Sequence, residues 1–587
     1  MFEVTRKSKH VPHAWSESRV ELNESPPVTP PATETRVRTK KKRRKQQQQQ
    51  QQQQHSEEGE KRSDSAQERC KTPSVHGKYE REERPSSGTE SMLRGIFQIG
   101  KKSHDVILTG TRLTWTRIQP ESLTGDSSQK NWQEDFVELK DVFAVKVKRR
   151  RSAGQQIGGT LLGITLFICK GKGAKLKHHE IHLDNMSVDH CEIWFKHIKE
   201  ILNSFKHHPK SLKVFVNPTS HKKDAYQIYQ DQVAPLFKLA DIQVDVTVTE
   251  RKGHVLSILK ECSLHQYDGV VCVGGDGSVA EVAHGLLLRA QTEAKRDTHS
   301  DFKPVPAPLP LGVIPAGSAD VVACSVHGIR HPVTAALHII MGHRQQVDMC
   351  SVSSMGALQR FGFCTMVGFG GRVLAAAEKL HWVPPSQRNE VAFITALTQL
   401  RLEDCEISFV AGSSGASDQT QSHSVEDLNG IGEDVEWQVC TGSFLSVGIM
   451  SIPCLCSVAL RGLAPFTRLN NNRMALIMVA NTSRSEFVKH LKRYSSSKNP
   501  FSFSFVDVQS VREVKLRPHS CTDKESMDSD SRHTSVIPSE ATLTWNIDGE
   551  LLEIQGEVLI RVHDGLLTVF GIDVQEAEEP PVNCSCI

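Results

Sequence analysis

The sequence places a glycine-rich turn with one aspartate directly after a run of apolar residues. From Asp268 the chain continues Gly-Val-Val-Cys-Val into Gly274, Gly275, Asp276 and Gly277, and a helical pattern follows at once. Glycines allow the backbone to approach a phosphate closely, and a helix N-terminus presents free N–H groups and the positive end of its dipole. Asp276 could hold Mg²⁺ through water or accept a proton from a substrate hydroxyl. The arrangement favours phosphate chemistry, although Gly-Asp-Gly is also a common tight turn.

The elements around this turn predict a parallel sheet covered by helices. Apolar strands alternate with helical patterns from residue 211 onward. The predicted strands are 211–217, 244–249, 269–273 and 311–315, and the predicted helices are 226–239, 254–262, 278–290, 319–326 and 332–341. In such sheets, ligands bind outside the carboxyl ends of the strands. A second polar turn, from Ile314 to Asp320, has the same character at the end of the next strand.

Strand patterns dominate on both sides of this series. Residues 91–206 predict short strands and then one amphipathic helix, 188–202. The apolar face of that helix is predicted to comprise Ile193, Trp194, Ile198, Ile201 and Leu202. Strands also dominate residues 346–575, and a tail, 576–587, follows them. The composition of residues 1–90 and of two insertions, about 411–436 and 519–540, predicts disorder.

The composition excludes some classes of protein. The chain has 587 residues, 71 Lys and Arg against 68 Asp and Glu, and a formal net charge of +3. That balance excludes a uniformly basic nucleic-acid coat and an acidic solvating tail. The 15 Cys and 27 His show no metal-ligand spacing, so no His/Cys metal site is predicted. Because no secretory signal and no membrane-helix pattern are evident, we expect a soluble cytosolic or nuclear protein with reduced thiols.

Positive charge is concentrated in two runs outside the α/β region. The first run comprises Lys40, Lys41, Lys42, Arg43, Arg44 and Lys45. The second comprises Lys146, Lys148, Arg149, Arg150 and Arg151, which follow a predicted strand. The first suits nuclear import machinery, anionic lipid or RNA, and the second suits phosphoinositide head groups or a nuclear or nucleolar signal. Either run could also be an ordinary solvated segment. Neither has aromatic platforms beside it, so no specific nucleic acid is expected as a partner.

Five sequence features follow one another between about residues 93 and 570. They are the strand-rich region with its Trp-bearing helix, DGVVCVGGDG, LPLGVIPAGS, IPCLCSVALRGLAP and WNIDGE. Together they resemble the diacylglycerol/sphingosine/ceramide kinase family, and the ceramide branch is nearest. The resemblance implies a pleckstrin-homology-like β domain followed by a two-lobed lipid-kinase scaffold, with a parallel-sheet α/β nucleotide lobe and a β-sandwich lipid lobe. It implies ATP and Mg²⁺ as cofactors and a sphingolipid or diacylglycerol-like lipid as ligand.

The family's functional residues match this sequence at the two turns and near the C-terminus. By this resemblance the nucleotide side comprises Asn217, Gly274, Gly275, Gly277, Pro315, Gly317, Ser318 and Glu550. Asp276 belongs to the nucleotide loop, and Asp548 matches a carboxylate that returns to the active site as an acid, a base or a metal contact. We take Asp276 and Asp548 as the catalytic candidates. Phosphoryl transfer depends mainly on positioning and on neutralising phosphate charge, so these parts are chemically consistent.

The sequence departs from the family pattern at four separate segments that contribute to this site. Thr-Ser-His-Lys-Lys at residues 219–223 replaces a Gly-Gly-Lys-Gly-like loop, which restricts the backbone, although the two Lys could act as point charges. Val321 stands where a polar residue is usual, and Asn471 stands near a usual acidic metal contact. Arg372 stands in place of an acid, which would change head-group selection. We therefore expect little or no kinase activity and a lipid- or nucleotide-binding regulator, with an active lipid kinase as the alternative.

The resemblance also implies where the protein acts. It implies peripheral association with membranes, the endoplasmic reticulum or Golgi included, whereas the two basic runs are the basis for expecting nuclear or nucleolar shuttling. It further implies a role in sphingolipid signalling and in the survival of stressed cells, photoreceptors included.

Overall fold

The computed structural model describes most of the chain between its two ends. The described residues are 93–118, 134–152, 158–220, 224–299, 302–380, 382–412, 436–496, 498–519 and 542–572. Residues 1–90, with the basic run from Lys40 to Lys45, lie outside them, as do nearly all of the two predicted insertions and the tail 576–587. Within the described ranges, no helix has the length and apolarity needed to cross a membrane.

The first described region is an antiparallel sheet of seven strands followed by one helix. The strands are β1 (Leu93–Ile99), β2 (Lys102–Leu108), β3 (Arg112–Arg117), β4 (Asp135–Glu138), β5 (Val142–Arg150), β6 (Thr160–Lys172) and β7 (Lys175–Asp184), in the order β4-β3-β2-β1-β7-β6-β5. The helix is α1 (Val188–Ser204). Trp194 and Ile198 are buried against the sheet, whereas Ile193 is 50% exposed. The helix prediction is confirmed, but the assignment of Ile193 to the buried face is wrong because that face is narrower than the sequence pattern indicates.

Four parallel strands form one end of a second, larger sheet. They are β8 (Ser211–Val216), β9 (Gln243–Val248), β10 (Gly269–Gly274) and β11 (Leu311–Pro315), in the order β11-β10-β8-β9. The helices between and after them are α2 (Ala225–Ile228), α3 (Ala234–Leu239), α4 (His254–Glu261), α5 (Asp276–Glu293), α6 (Val321–His327) and α7 (Pro332–Ile340). A π-helical turn, Tyr229–Val233, joins α2 to α3. These bounds confirm the predicted series, and α5 begins at Asp276 rather than at Ser278.

The rest of the large sheet is antiparallel. Its strands are β12 (Arg344–Ser354), β13 (Ala357–Gly362), β14 (Cys364–Gly368), β15 (Glu403–Ala411), β16 (Trp437–Met450), β17 (Met474–Ala480), β18 (Val506–Pro518), β19 (Thr542–Ile547), β20 (Glu550–Gln555) and β21 (Val558–Phe570). Three helices accompany them: α8 (Phe369–Lys379), α9 (Pro385–Thr398) and α10 (Arg484–Arg493). The predicted strand-rich character is confirmed.

The parallel and antiparallel parts share both a sheet and a core. The last strand, β21, pairs with β11 on one side and with β12 and β18 on the other. One apolar cluster contains Leu286 of α5 together with Phe361 of β13. A second cluster contains Phe143 of β5 together with Leu337 of α7, so the seven-stranded sheet packs against the α/β region. The parallel and antiparallel parts are therefore joined through one continuous sheet and one shared apolar core.

The second basic run lies in a strand rather than after one. β5 contains all of its residues except Arg151, because pairing with β6 continues past the apolar positions. Lys146 Nζ lies 2.5 Å from a carboxylate oxygen of Asp241, and Lys148 Nζ lies 2.8 Å from one of Asp184. The prediction that the run follows a strand is thus wrong. Two of its cations are engaged by carboxylates of this chain.

Candidate active site

Three polar turns lie side by side at the carboxyl ends of β8, β10 and β11. The Asn217 N–H donates a hydrogen bond to the carbonyl of Val273 at 3.0 Å, and the Ala316 N–H donates one to the carbonyl of Gly274 at 3.0 Å. Parallel strands in register bring their carboxyl ends to one edge, which is where ligands of such sheets bind. We refer to residues 217–220, 274–277 and 315–318 together as the turn wall.

Two glycines of the turn wall pack backbone against backbone. A Cβ atom added at Gly275 would lie 3.0 Å from the Cα of Gly317, and one added at Gly317 would lie 2.5 Å from the Cα of Gly275. The second glycine would also place its Cβ 2.7 Å from a carboxylate oxygen of Asp320. These turns can approach each other only because both positions lack a side chain.

Asp276 is the first residue of α5 and belongs to the second turn of the turn wall. Its Oδ1 accepts a hydrogen bond from the Val322 N–H at 3.0 Å, in the first turn of α6. Burial raises the pKa of Asp276 above its ordinary value, and the backbone hydrogen bonds from Val322 and Val321 oppose that rise. One oxygen of this candidate catalytic carboxylate therefore positions a neighbouring helix.

The first turn is folded back on itself by side-chain hydrogen bonds. Asn217 Nδ2 donates to Ser278 Oγ at 2.7 Å, and Asn217 Oδ1 accepts from the N–H and the hydroxyl of Thr219 at 3.0 and 2.8 Å. The Ser220 hydroxyl, in a residue that is 8% exposed, donates to the carbonyl of Ala316 at 3.0 Å. Thr219 and Ser220 therefore tie the first turn to itself and to the third turn, which a glycine loop could not do. Residues 221–223 lie outside the described residues.

Asp548 lies opposite the turn wall, in a two-residue hairpin between β19 and β20. Asp548 and Gly549 adopt left-handed φ values of 51° and 83°, as a tight hairpin of this kind requires. The two Asp548 carboxylate oxygens accept hydrogen bonds from the N–H groups of Phe363 and Cys364, each at 2.8 Å. Burial raises the pKa of Asp548 to about 7, although these hydrogen bonds and the charge of Arg360 act in the opposite direction. Both oxygens thus hold the β13–β14 connection.

Glu550 is shared by two cations. Its carboxylate forms an ion pair with Arg360, and Lys252 Nζ lies 2.9 Å from its other oxygen. The Arg360 side chain is 7% exposed, whereas that of Lys252 is 67% exposed. We refer to Arg360, Phe363, Cys364, Asp548 and Glu550 as the carboxylate wall. Its negative charges are compensated within the protein before any ligand arrives.

A cavity of about 740 Å³ separates the two walls. Among the predicted site residues, its lining includes Asn217, Gly275, Asp276, Gly277, Gly317, Ser318, Asp548 and Glu550. Gly274 and Pro315 end their strands and are not part of the lining. Apolar side chains line another part of the cavity, Met366, Leu374 and Phe393 among them. One cavity therefore offers a polar surface and an apolar surface.

The two lipid-site candidates lie away from this lining. Arg372 forms an ion pair with Glu403, and its guanidinium donates a hydrogen bond to the carbonyl of Arg401 at 2.7 Å. Neither Arg372 nor Asn471 belongs to the lining of the cavity. Asn472, the residue after Asn471, donates its N–H to Asp348 at 2.5 Å. A direct head-group role for Arg372 or Asn471 therefore finds no support in their placement.

Sequence reasoning missed Arg360, Lys252 and Glu281. Glu281 lines the cavity from α5, and burial raises its pKa while its Oε1 accepts the Val255 N–H at 3.2 Å. Lys252 belongs to no motif. The one local signal was at Arg360, a single charge within an apolar strand sequence, since a buried charge requires a partner.

The donor set does not fit a metal ion held by protein side chains alone. Across the described ranges, no group of three or more His, Cys, Asp or Glu side chains is arranged to hold a metal. Both oxygens of Asp548 and Oδ1 of Asp276 already accept backbone hydrogen bonds. A carboxylate shared in this way is a poorer ligand for a hard cation.

Comparisons with known proteins agree with these observations. Three family models match in order: the ceramide kinase PH domain at residues 93–198, the diacylglycerol kinase catalytic domain at 211–352 and the ceramide kinase C-terminal domain at 363–587. A human ceramide kinase-like protein is 51% identical over 83% of this chain and 91% of its own length. Human ceramide kinase is 32% identical over 66% of this chain and 79% of its own length. Sphingosine kinase 2 of Arabidopsis thaliana is 26% identical over 64% and 79%. The chain belongs to the diacylglycerol/sphingosine/ceramide lipid kinase family, in its ceramide kinase branch.

Proposed function

We propose that this protein is a lipid- and nucleotide-binding regulator of sphingolipid signalling that transfers phosphate weakly or not at all. The observation that carries the proposal is the engagement of the candidate carboxylates. Asp276 holds α6, Asp548 holds the β13–β14 connection, and Glu550 is paired with Arg360 and Lys252. Phosphoryl transfer requires such groups to meet the metal, the phosphate or the attacking hydroxyl.

The first turn supports the same conclusion. A phosphate-wrapping loop needs backbone N–H groups that can turn toward the ligand, and glycine is the residue that permits this. Here Thr219 and Ser220 hold the turn by side-chain hydrogen bonds to Asn217 and Ala316. Opening it for phosphate would break these bonds.

Part of the cavity still suits a nucleotide. Gly275, Gly277, Gly317 and Ser318 would lie against the phosphates of ATP, where their small size permits close approach. ATP would supply the phosphoryl group. Mg²⁺ that enters with ATP would be held mainly by the phosphates and by water, and we assign no step to that ion.

The apolar surface of the same cavity suits the lipid. Met366, Leu374 and Phe393 would contact hydrocarbon, and a sphingolipid or diacylglycerol-like molecule would place its head group toward Asp276. Ceramide kinases and a sphingosine kinase among the relatives make this lipid class the first to test.

We further propose the division into domains that the sequence predicts. It comprises a basic and poly-Gln start at 1–90, a pleckstrin-homology-like domain at 91–206, a nucleotide lobe at 211–345, a β-sandwich lipid lobe at 346–575 and a tail at 576–587. The first folded domain would direct the protein to anionic membranes or phosphoinositides. Nuclear import through Lys40 to Lys45 and a role in the survival of stressed cells, including photoreceptors, are part of the same proposal.

The test is transfer of labelled phosphate from ATP to a panel of lipids in vesicles, with Asp276→Asn as the matched control. We expect both proteins to give the same low signal. Robust product from the wild-type chain that disappears in Asp276→Asn would instead establish an active lipid kinase. Stabilisation of the wild-type chain against heating by ATP would then show separately whether the cavity binds nucleotide.

A further inference from the structure

The strand β9 is the outer edge of the α/β region and carries a stripe of exposed valines. Val244, Val246 and Val248 are 38%, 37% and 40% exposed. They continue the apolar face of β8, since they pair in register with Leu212, Val214 and Val216, which are all buried. Within the part of the chain that the structure describes, β9 pairs with β8 alone.

The backbone groups of the same three valines point away from the sheet. The Gln243 N–H donates to Lys210 and the Thr249 N–H donates to Val216, so odd-numbered residues of this segment face β8. Because N–H and C=O groups alternate sides along a strand, the even-numbered residues face outward. Val244, Val246 and Val248 therefore present donors and acceptors along the open edge.

In the part of the chain that the structure describes, this edge lacks the devices that usually prevent pairing with another chain. Exposed edges are normally protected by outward charges, proline or a covering element. The one charge of β9, Asp245, lies on the opposite face, where Lys213 Nζ is 2.7 Å away and the Tyr267 hydroxyl donates to it at 2.5 Å. Asp245 is thus paired on the opposite face, and no charged residue of β9 lies on the valine face.

We propose that β9 pairs antiparallel with β9 of a second copy of this chain, with Val246 opposite Val246. In that register, Val244 of each copy faces Val248 of the other, so apolar residues meet apolar residues and the three outward pairs exchange hydrogen bonds. Asp245 faces Thr247, so no two like charges meet within the paired segment.

Pairing registers shifted by one residue in either direction would be less stable, because they place unfavourable side chains opposite each other. Centring the pair on Asp245 would place two carboxylates directly opposite each other, which is destabilising. Centring it on Thr247 would place Val244 opposite Glu250 of the second copy. The self-complementarity of one register is what favours a second copy over an unrelated strand as the occupant.

The test begins with sedimentation of the full-length chain at micromolar concentration. We expect a dimer in the wild-type chain, a shift of at least tenfold in the dissociation constant toward monomer in Val246→Lys, and an unchanged dimer in Val246→Thr. Thermal unfolding of each variant shows whether the monomer is still folded. A monomeric wild-type chain, or a dimer that Val246→Lys leaves intact, overturns the proposal.

Cysteine variants test the register itself. The proposed pair brings the two Val246 Cα atoms to about 5.5 Å, which a disulfide can span. Two Val248 residues would lie four residues apart along the strand, about 14 Å, which is too far. Mild oxidation should therefore link Val246→Cys chains and not Val248→Cys chains. The reverse result contradicts the register. Protection of the β9 amides from hydrogen exchange in a monomeric chain would identify a different occupant and would also overturn the proposal.

Discussion

The turn wall and the carboxylate wall face the same cavity but are stabilised by different interactions, backbone packing in the first and ion pairs and hydrogen bonds of charged groups in the second. The turn wall is built from short segments whose glycines allow backbone to pack on backbone, as Gly275 and Gly317 do. The carboxylate wall is built from charged groups distant in sequence, and Arg360 and Glu550 are 190 residues apart. Its carboxylates are engaged by groups of the same chain, whereas Nε and Nη2 of the buried Arg360 find no hydrogen-bond partner among the described residues. The difference indicates that close backbone packing forms the turn wall, whereas the candidate carboxylates of the other wall are engaged by groups of the chain itself.

The strongest test of the carboxylate wall is the pH dependence of stability. The pKa of Asp548 is about 7 in the folded protein, above its ordinary value of 3.8. The folded state therefore binds a proton that the unfolded state has released, and the free energy of unfolding falls as the pH rises between these two values. Asp548→Asn removes this titration. From pH 4 to pH 7, the variant should gain stability relative to the wild-type chain, on the order of 4 kcal/mol.

Urea unfolding of both proteins across that pH range measures the difference. Buried histidines such as His284, whose pKa burial lowers to about 3, act in the opposite direction, but they are common to both proteins and cancel. A constant difference between variant and wild type over this range would mean that Asp548 is not a buried, proton-binding group.

The two cations that share Glu550 offer a matched comparison. Arg360→Met removes the buried partner and leaves Glu550 partly uncompensated, so we expect a loss of about 3 kcal/mol in the free energy of unfolding. Lys252→Met removes an exposed partner and should cost less than about 1 kcal/mol. Chemical denaturation at neutral pH measures both. Equal losses would contradict the assignment of Arg360 as the principal partner.

The turn wall is tested by adding a methyl group at two glycines. Gly317→Ala would force its Cβ into the Cα of Gly275, and we expect a loss of about 2 kcal/mol in stability. Gly277→Ala is the control, because its Cβ would lie 3.7 Å from the nearest atom, the carbonyl oxygen of Asp548, and alanine favours the helix. Its stability should be unchanged or higher by about 0.5 kcal/mol. Tolerance of both substitutions would show that the turns are not closely packed.

The turn wall could be predicted from the sequence, and the carboxylate wall could not. An apolar strand, a glycine turn and a helical pattern lie within one short segment, so local rules place Gly274 to Gly277 at a strand end. No local pattern shows that Arg360 meets Glu550 or that Asp548 holds Phe363 and Cys364. These contacts form only when β13, β14 and the β19–β20 hairpin are brought together by the sheet.

The sequence also does not predict the direction in which individual charged side chains point, and hence which partners they contact. Arg372 was a lipid-site candidate because of its type and its neighbourhood in the sequence. In the structure it lies on α8 and pairs with Glu403, which begins β15. Similarly, the second basic run lies in β5, where Lys146 and Lys148 meet Asp241 and Asp184. Helix rotation and strand pairing decide such outcomes, and both depend on packing partners far away in the chain.

The most direct test of the central claim restores the first turn. In Ser220→Gly/His221→Gly/Lys223→Gly, backbone N–H groups can turn toward phosphate, whereas Ser220→Ala removes only the hydrogen bond to Ala316. Calorimetric titration with ATP and Mg²⁺ measures the affinity of each full-length protein. We predict that the glycine variant binds ATP at least about tenfold more tightly than the wild-type chain, or about 1.4 kcal/mol, and that Ser220→Ala does not. Equal affinity in all three proteins would contradict the claim that this turn has lost its capacity to hold phosphate.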